Sequence, residues 1–340
     1  MISIKEIAKL ANVAQSTVSK ALNDKPDVSP VTKRKIIEIA KQYDFVPNAF
    51  GKGLKSRTTE NIGIIFCREA QPLSGNPFYS RVLEGIEAEL VINNYNLVLQ
   101  LIPDSQQNIL PKMVRQRQVD GLILAGSFRE QFIQSISSND INVVLVDPKI
   151  TINSCSQVLI DNEHGGFIAT QYLIQKDHRR IGFISGDLER LSFKQRYDGY
   201  LKALKYNNIP IDNNLIRTGG LENGYEHVNS LLISEKRPTA IFAANDINAI
   251  HGYKAILDNN LKIPDDISVI GFDDIDLAKY STPSLTTVRV YKEELGSIAV
   301  RMLLKIINRD INVPITTIVP IKLIERNSVN ALGNGKNENQ

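Results

Sequence analysis

The chain has 340 residues, 42% of them hydrophobic and 23% charged, with a formal net charge of +3. That length suffices for two or three domains with a sizeable core, and no apolar run of about 18 residues exists to span a membrane. The N-terminus lacks the apolar centre of a signal peptide, and two cysteines (Cys67, Cys155) with four scattered histidines form neither a disulfide framework nor a metal-ligand pattern, so buried thiols in a reducing cytoplasm are expected.

Charge is uneven along the chain. Residues 1–60 hold eleven Lys/Arg against six Asp/Glu, a balance of +5, and the remainder carries −2. A basic head on a slightly acidic body suits a polyanionic partner for the head alone. Ser3 followed by Glu6 is a capping-box start for a first helix, with Ile4, Ile7, Ala8 and Ala11 on one face. Asn12 tolerates the left-handed turn that would end it. A second helix is expected over Gln15–Leu22. Thr17, Val18, Ala21 and Leu22 face inward or sit at the boundary, leaving Gln15, Ser16 and Lys20 outward. Ser29 and Pro30 read as N-cap and first residue of a third helix, whose buried stripe is Ile36, Ile37, Ala40 and Tyr43. Two short helices joined by a tight turn fit a helix-turn-helix. Gln and Lys suit base edges, because Gln pairs bidentately with adenine and Lys reaches the guanine acceptors.

PNAFGKGLKSRTT follows, basic and weakly helical, with one leucine. From Asn61 strands and helices alternate. NIGIIF (61–66) reads as a buried strand, and Phe78, Val82, Ile86 and Leu90 line a helix. NLVLQLI (96–102), VDGLILAG and INVVLVD (141–147) continue the series. RIGFISG (180–186), PTAIFAAN (238–245) and ISVIGFD (267–273) begin a second one. This alternation implies doubly wound parallel sheets in two lobes with a cleft between them. No G-x-G-x-x-G, P-loop, zinc motif or nucleophile elbow occurs, so neither an enzyme nor a cofactor or metal site is expected. Ligand groups belong at the carboxyl ends of the strands. Asp147, Arg190, Ser192, Arg196, Asn245 and Asp273 satisfy that rule, although Asn245 and Asp246 could equally cap the next helix.

SIKEIAKLANVAQSTVSKALN and VSPVTKRKIIEIAKQYDFVPN closely resemble the N-terminal signature of the LacI/GalR (lactose-repressor) family. The resemblance resumes at VDGLIL (119–124), DNEHGGFIATQYLI (161–174), HRRIGFISG (178–186), RPTAIFAANDINAIHGYKAI (237–256) and IPDDISVIGFDDIDLAKYSTPSLTTV (263–288). It implies an all-α helix-turn-helix headpiece joined to an α/β, periplasmic-binding-protein-like (type I), two-lobed effector domain. The implied division is a headpiece over 1–47 and a hinge over 48–60. The first lobe would be 61–161 plus about 290–321, the second 162–289 plus about 322–330, and 331–340 a disordered tail.

The family pattern places Gln15, Ser16, Thr17 and Lys20 at the base-reading helix and Ser3, Asn23 and Ser29 at phosphates. It makes Leu54, flanked by Lys52 and Lys55, a minor-groove wedge. Ala14 departs from the family's usual serine, a cap whose loss costs about 1 kcal/mol. Gly51 and Gly53 each cost about 1 kcal/mol of helix propensity relative to Ala, so hinge folding is expected to lean on a dimer partner and DNA. In the cleft the resemblance adds Phe78 and Tyr79 as an aromatic wall and marks Arg196 and Asp273 as effector contacts. The Arg190, Ser192, Arg196, Asp273 set is similar to the pocket of purine-responsive members, but Leu221 replaces a stacking aromatic. A sugar or sugar phosphate is therefore favoured over a purine. The function implied is a homodimeric transcriptional repressor on near-palindromic double-stranded DNA, switched by a small molecule. Solute-binding protein and α/β enzyme are the rivals, and the basic head speaks against both.

Overall fold

The computed structural model describes residues 2–22, 24–43, 45, 58–68, 73–220, 222–234 and 236–333. The chain divides into two compact units, Met1–Thr59 and Glu60–Gln340.

Among its described residues the first unit has three helices, α1 (Ile4–Ala11), α2 (Gln15–Leu22) and α3 (Pro30–Gln42). The Ser3 hydroxyl accepts from the Glu6 N–H while Glu6 accepts from the Ser3 N–H, a complete capping box. Asn12 closes α1 at φ 55°. At the start of α2 the Ala14 carbonyl accepts from the Thr17 and Val18 amides at 2.9 and 3.2 Å, but alanine has no hydroxyl to cap the end. Ser29 caps α3, and Pro30 opens it. Ile7, Ala8, Ala11, Val18, Ala21, Val28, Ile36 and Ala40 form a small shared core. Tyr43, expected in that stripe, is exposed (48%). The helix ends at Gln42 and Tyr43 is its C-cap, so the 3.6-residue register no longer governs its direction. Phe45, whose amide bonds the Ala40 carbonyl at 2.8 Å, packs against the core instead.

Among its described residues the second unit holds two six-stranded sheets. Its first half runs β1 (Asn61–Arg68), α4 (Tyr79–Ile92), β2 (Asn96–Pro103), α5 (Lys112–Arg115), β3 (Gly121–Ala125), α6 (Glu130–Ser137), β4 (Asn142–Val146) and β5 (Ser156–Ile160). Next come α7 (Asn162–Gln175), β6 (Ile181–Ser185), α8 (Leu191–Tyr206), β7 (Ile216–Thr218), α9 (Gly224–Leu232) and β8 (Ala240–Ala243). The chain continues through α10 (Asp246–Asp258), β9 (Ser268–Asp273), α11 (Asp276–Tyr280), β10 (Thr286–Val290), α12 (Lys292–Ile307), β11 (Thr316–Val319) and β12 (Ile321–Ile324).

Lobe 1 has strand order β11-β5-β4-β3-β1-β2 and lobe 2 has β12-β10-β9-β8-β6-β7. Neighbours are parallel except β12, which runs antiparallel to β10. Strands β3, β6, β8 and β9 are buried along their whole length, as expected for parallel strands covered on both faces by helices. The chain passes between lobes at Asp161, Tyr291 and Pro320. Helix α12 therefore follows a lobe 2 strand yet packs on α4 and the lobe 1 sheet, and α7 packs on α8 in lobe 2. Leu332, which the expected disordered tail includes, is held instead: its amide donates to the Lys176 carbonyl at 2.8 Å. Residues 334–340 lie outside the described residues.

Two glycine contacts set the helix pairs. A Cβ at Gly166 of α7 would overlap the backbone carbonyl of Arg196 on α8, and one at Gly85 of α4 would overlap that of Glu293 on α12. Gly166→Ala is therefore expected to push α8 and Arg196 away from lobe 2's core, at a cost of about 1–3 kcal/mol or more of overpacking strain. Denaturant unfolding of the full chain checks this, and an unchanged midpoint would contradict it.

Candidate functional site: an interlobe cleft and a helical head

All eight residues proposed for the cleft line one cavity between the lobes of the second unit. Lobe 1 supplies Phe78 and Tyr79 from the start of α4, and Asp147 after β4. Asn76 holds this entrance, its side-chain oxygen accepting from the Phe78 and Tyr79 amides at 3.0 Å each. The Tyr79 hydroxyl donates to Asp147 Oδ2 at 3.0 Å. Lobe 2 supplies Arg190 and Ser192 at the start of α8, Arg196 one turn on, Asn245 after β8 and Asp273 at the end of β9.

Arg196 is the centre of this arrangement and is 3% exposed. Its Nε donates to Asn162 Oδ1 at 2.9 Å and Nη1 to the Ala244 carbonyl at 2.6 Å. Nη2 lies 3.1 Å from Asp273 Oδ1. That distance makes an ion pair with a buried carboxylate oxygen. The guanidinium also stacks 3.8 Å from the centre of the Phe272 ring, a cation–π contact strengthened by desolvation. Asp273 has φ 107° and Asp274 φ 52°. A non-glycine residue at such an angle is strained, and such strain clusters at functional sites.

Burial raises the Asp273 carboxyl, with Arg196 and then Lys292 opposing. Asp147 is pushed up to about 6 by burial, with Arg196 foremost among the opposing contacts, although its side chain keeps partial access to the cleft. Asp246 was expected only as a possible helix cap. It instead turns fully inward and accepts from the Ile275 amide at 2.9 Å and the Thr287 hydroxyl at 2.5 Å. Asn245 does the capping, accepting from the Asn248 amide at 2.9 Å. Burial first, then the neighbouring Asp273 charge, pushes Asp246 to about 8.

Both Asp246 and Asp147 thus have folded-state pKa values above the unfolded value of about 3.9. Their contribution to stability is complete below that value and is lost as pH rises through about 6 for Asp147 and about 8 for Asp246. The melting temperature of the second unit in the full chain should therefore fall as pH rises from weakly acidic to weakly alkaline. Asp246→Asn, which keeps a hydrogen-bonding amide, should flatten the upper part of that fall. An unchanged slope in the variant would contradict the assignment.

Asn162 and Phe272 support the cleft but escaped sequence reasoning, as did Phe193, Glu222, Ile247 and Ile275 on its wall. Phe272 stands next to Asp273 and Asn162 at a helix start, so only the fold reveals their contact with Arg196. Leu221 lies outside the described residues. Among the described residues no cluster of His, Cys, Asp or Glu is suited to hold a metal ion, and no helix is long and apolar enough to cross a membrane.

In the head, Gln15 and Ser16 are exposed on α2, and Thr17 is half-buried beside them. Lys20 is exposed too, but its ammonium pairs with Asp27 at 2.5 Å, a partner that a guanine acceptor would have to displace. Ser3 Oγ donates to Glu6 at 2.7 Å, and Ser29 Oγ lies 2.8 Å from the Thr32 hydroxyl. Phosphate contacts from either hydroxyl would exchange these bonds. Asn23, Lys52, Leu54 and Lys55, with Gly51 and Gly53, lie outside the described residues.

Residues 3–48 match the family model for bacterial regulatory proteins of the lacI family, and residues 170–329 match that for a periplasmic binding protein-like domain. The HTH-type transcriptional regulator MalR of Clostridium butyricum is 37% identical over 96% of this chain and 98% of its own. The HTH-type transcriptional repressor PurR of Mannheimia succiniciproducens is 32% identical over 89% of this chain and 91% of its own. A solved transcriptional regulator CelR–cellobiose complex superposes with a TM-score of 0.74 at 26% identity, over 96% of this chain and 100% of that one.

Proposed function

The chain belongs to the LacI family of ligand-regulated, DNA-binding transcriptional regulators, and on that footing we propose a homodimeric, cytoplasmic repressor that is not an enzyme and whose effector is a neutral sugar held in the interlobe cleft. The head reads a near-palindromic operator through Gln15, Ser16, Thr17 and Lys20. The palindrome follows from two-fold protein symmetry.

The observation that carries the effector reading is the pairing of hydroxyl acceptors with arginine donors at one cavity. Asp147 and Asp273 place carboxyl groups, and Arg190 and Arg196 guanidiniums, on the wall of that cavity, with Tyr79 donating to Asp147 Oδ2. Carboxylates and guanidiniums around aromatic surfaces match the alternating hydroxyls and apolar faces of a sugar ring. Three carboxylates (Asp147, Glu222, Asp273) outnumber the two arginines (Arg190, Arg196) on the cavity wall, and Arg196 pairs with Asp273. That balance disfavours a phosphate, so the choice between sugar and sugar phosphate falls to the neutral form. The cellobiose bound to CelR is in keeping with this class.

A thermal-shift screen of the full chain with D-ribose, D-glucose, cellobiose, glucose 6-phosphate and guanine tests the reading. Stabilisation by a neutral sugar supports it. Stabilisation by guanine or the phosphate ester alone would overturn the sugar class.

A further inference from the structure

Lys292 is 5% exposed and sits in the first turn of α12. A lysine there opposes the helix dipole, and a buried ammonium is costly unless it is compensated. Both costs are offset by three carbonyls: Nζ donates to Asp273 O at 2.5 Å, Asp274 O at 3.2 Å and Val290 O at 3.4 Å. The Asp273 carboxylate adds a favourable charge. The residue thus clamps a lobe 1 helix onto the backbone of the strained segment that carries the cleft's principal carboxylate.

From Lys292 the contact continues into lobe 1. The Glu293 carbonyl packs against Gly85, and Val82 of α4 packs against Gly296. Ser297 Oγ donates to the Gly85 carbonyl at 3.0 Å. Helices α4 and α12 therefore form one tightly packed pair, and the start of α4 carries Phe78 and Tyr79 on the opposite cleft wall. Other interlobe pairs, Arg81–Asp276 at 2.6 Å and Lys149–Glu189 at 3.0 Å, are exposed at both ends. Solvent and salt weaken pairs of that kind.

We propose that Lys292 is a positioning residue that transmits the state of Asp273 across the lobe boundary to α12 and α4. The proposal rests on the reading of the cleft as the effector site. It names the contact through which occupancy of that site reaches the lobe next in sequence to the hinge segment.

Hydrogen exchange of the full chain tests it without a ligand, with Asp273→Asn as the perturbation in two backgrounds. With Lys292 present, Asp273→Asn speeds exchange in the first two turns of α12 and the first turn of α4, by about the fivefold that a modest coupling confers. With Lys292→Met, the same change alters exchange only in lobe 2 segments around β9 and α8. Equal transmission in both backgrounds, or none in either, would overturn the proposal. Should the Met variant fail to fold, Lys292→Gln keeps N–H donors on a shorter, uncharged side chain. It is expected to transmit less than half of the change, and full transmission would count against the proposal. The sugar screen can fail without altering this outcome, so the two readings are judged separately.

Discussion

Replacing Arg196 by alanine is expected to abolish every probe-induced thermal shift and to destabilise the second unit by about 3–5 kcal/mol, the range for breaking a buried ion pair on one side. The change strands the Asp273 carboxylate, the Asn162 side-chain oxygen and the Ala244 carbonyl, each of which Arg196 now serves. It also leaves the Phe272 face uncovered where the guanidinium stacks. Asp273→Asn separates the two effects, because it leaves the Arg196 bonds to Asn162 and Ala244 and removes mainly the charged acceptor. That variant should lose most probe binding with a smaller stability loss. Urea unfolding paired with thermal shift in the presence of D-ribose or cellobiose reads both quantities. An Arg196→Ala protein that keeps its full response to the probe would show that the cleft is not the effector site. Operator binding by either variant should persist, since both residues lie in the second unit and α2 in the first.

The second large effect belongs to the head. Gln15→Ala and Lys20→Ala should each lower affinity for a selected operator by about 1–3 kcal/mol per lost bidentate base contact, while binding to random DNA changes little. For Lys20 the ion pair with Asp27 enters the argument. The free head spends that ammonium on Asp27, so Asp27→Asn should tighten operator binding by removing the competitor and one negative charge. Anisotropy titrations on operator and scrambled duplexes check the series. Uniform weakening on both duplexes would assign Gln15 and Lys20 to the phosphate backbone instead of base edges.

Much of this was legible in the chain because its signals are local. Ser3 with Glu6, and Ser29 with Pro30, are helix starts set by nearby hydrogen bonds, and the continuous apolar runs of β1, β3, β6 and β9 announce buried parallel strands. The failures arose where a local pattern outlives its element or where the fold chooses between neighbours. Tyr43 continues the apolar spacing of α3, but the helix stops one residue earlier. Asn245 and Asp246 are both adequate caps, and only packing decides that Asn245 caps while Asp246 turns inward to Ile275 and Thr287. Pro320 separates TTIV and IKLI into strands of different sheets, next to the lobe boundary expected at about 321. Lys292 carries no sequence signal at all. Its role comes from the crossover at Tyr291, which delivers a lobe 1 helix beside lobe 2 carbonyls.

The most direct test of the whole account is operator affinity of the full chain with and without a cleft ligand. An operator would be selected from random duplex DNA, and its Kd measured in the presence of whichever sugar stabilises the second unit. A near-palindromic operator is expected, with a Kd that shifts by about 5–150-fold on adding that sugar, the span of ordinary allosteric coupling. A sugar that stabilises the protein while leaving operator Kd unchanged would contradict it.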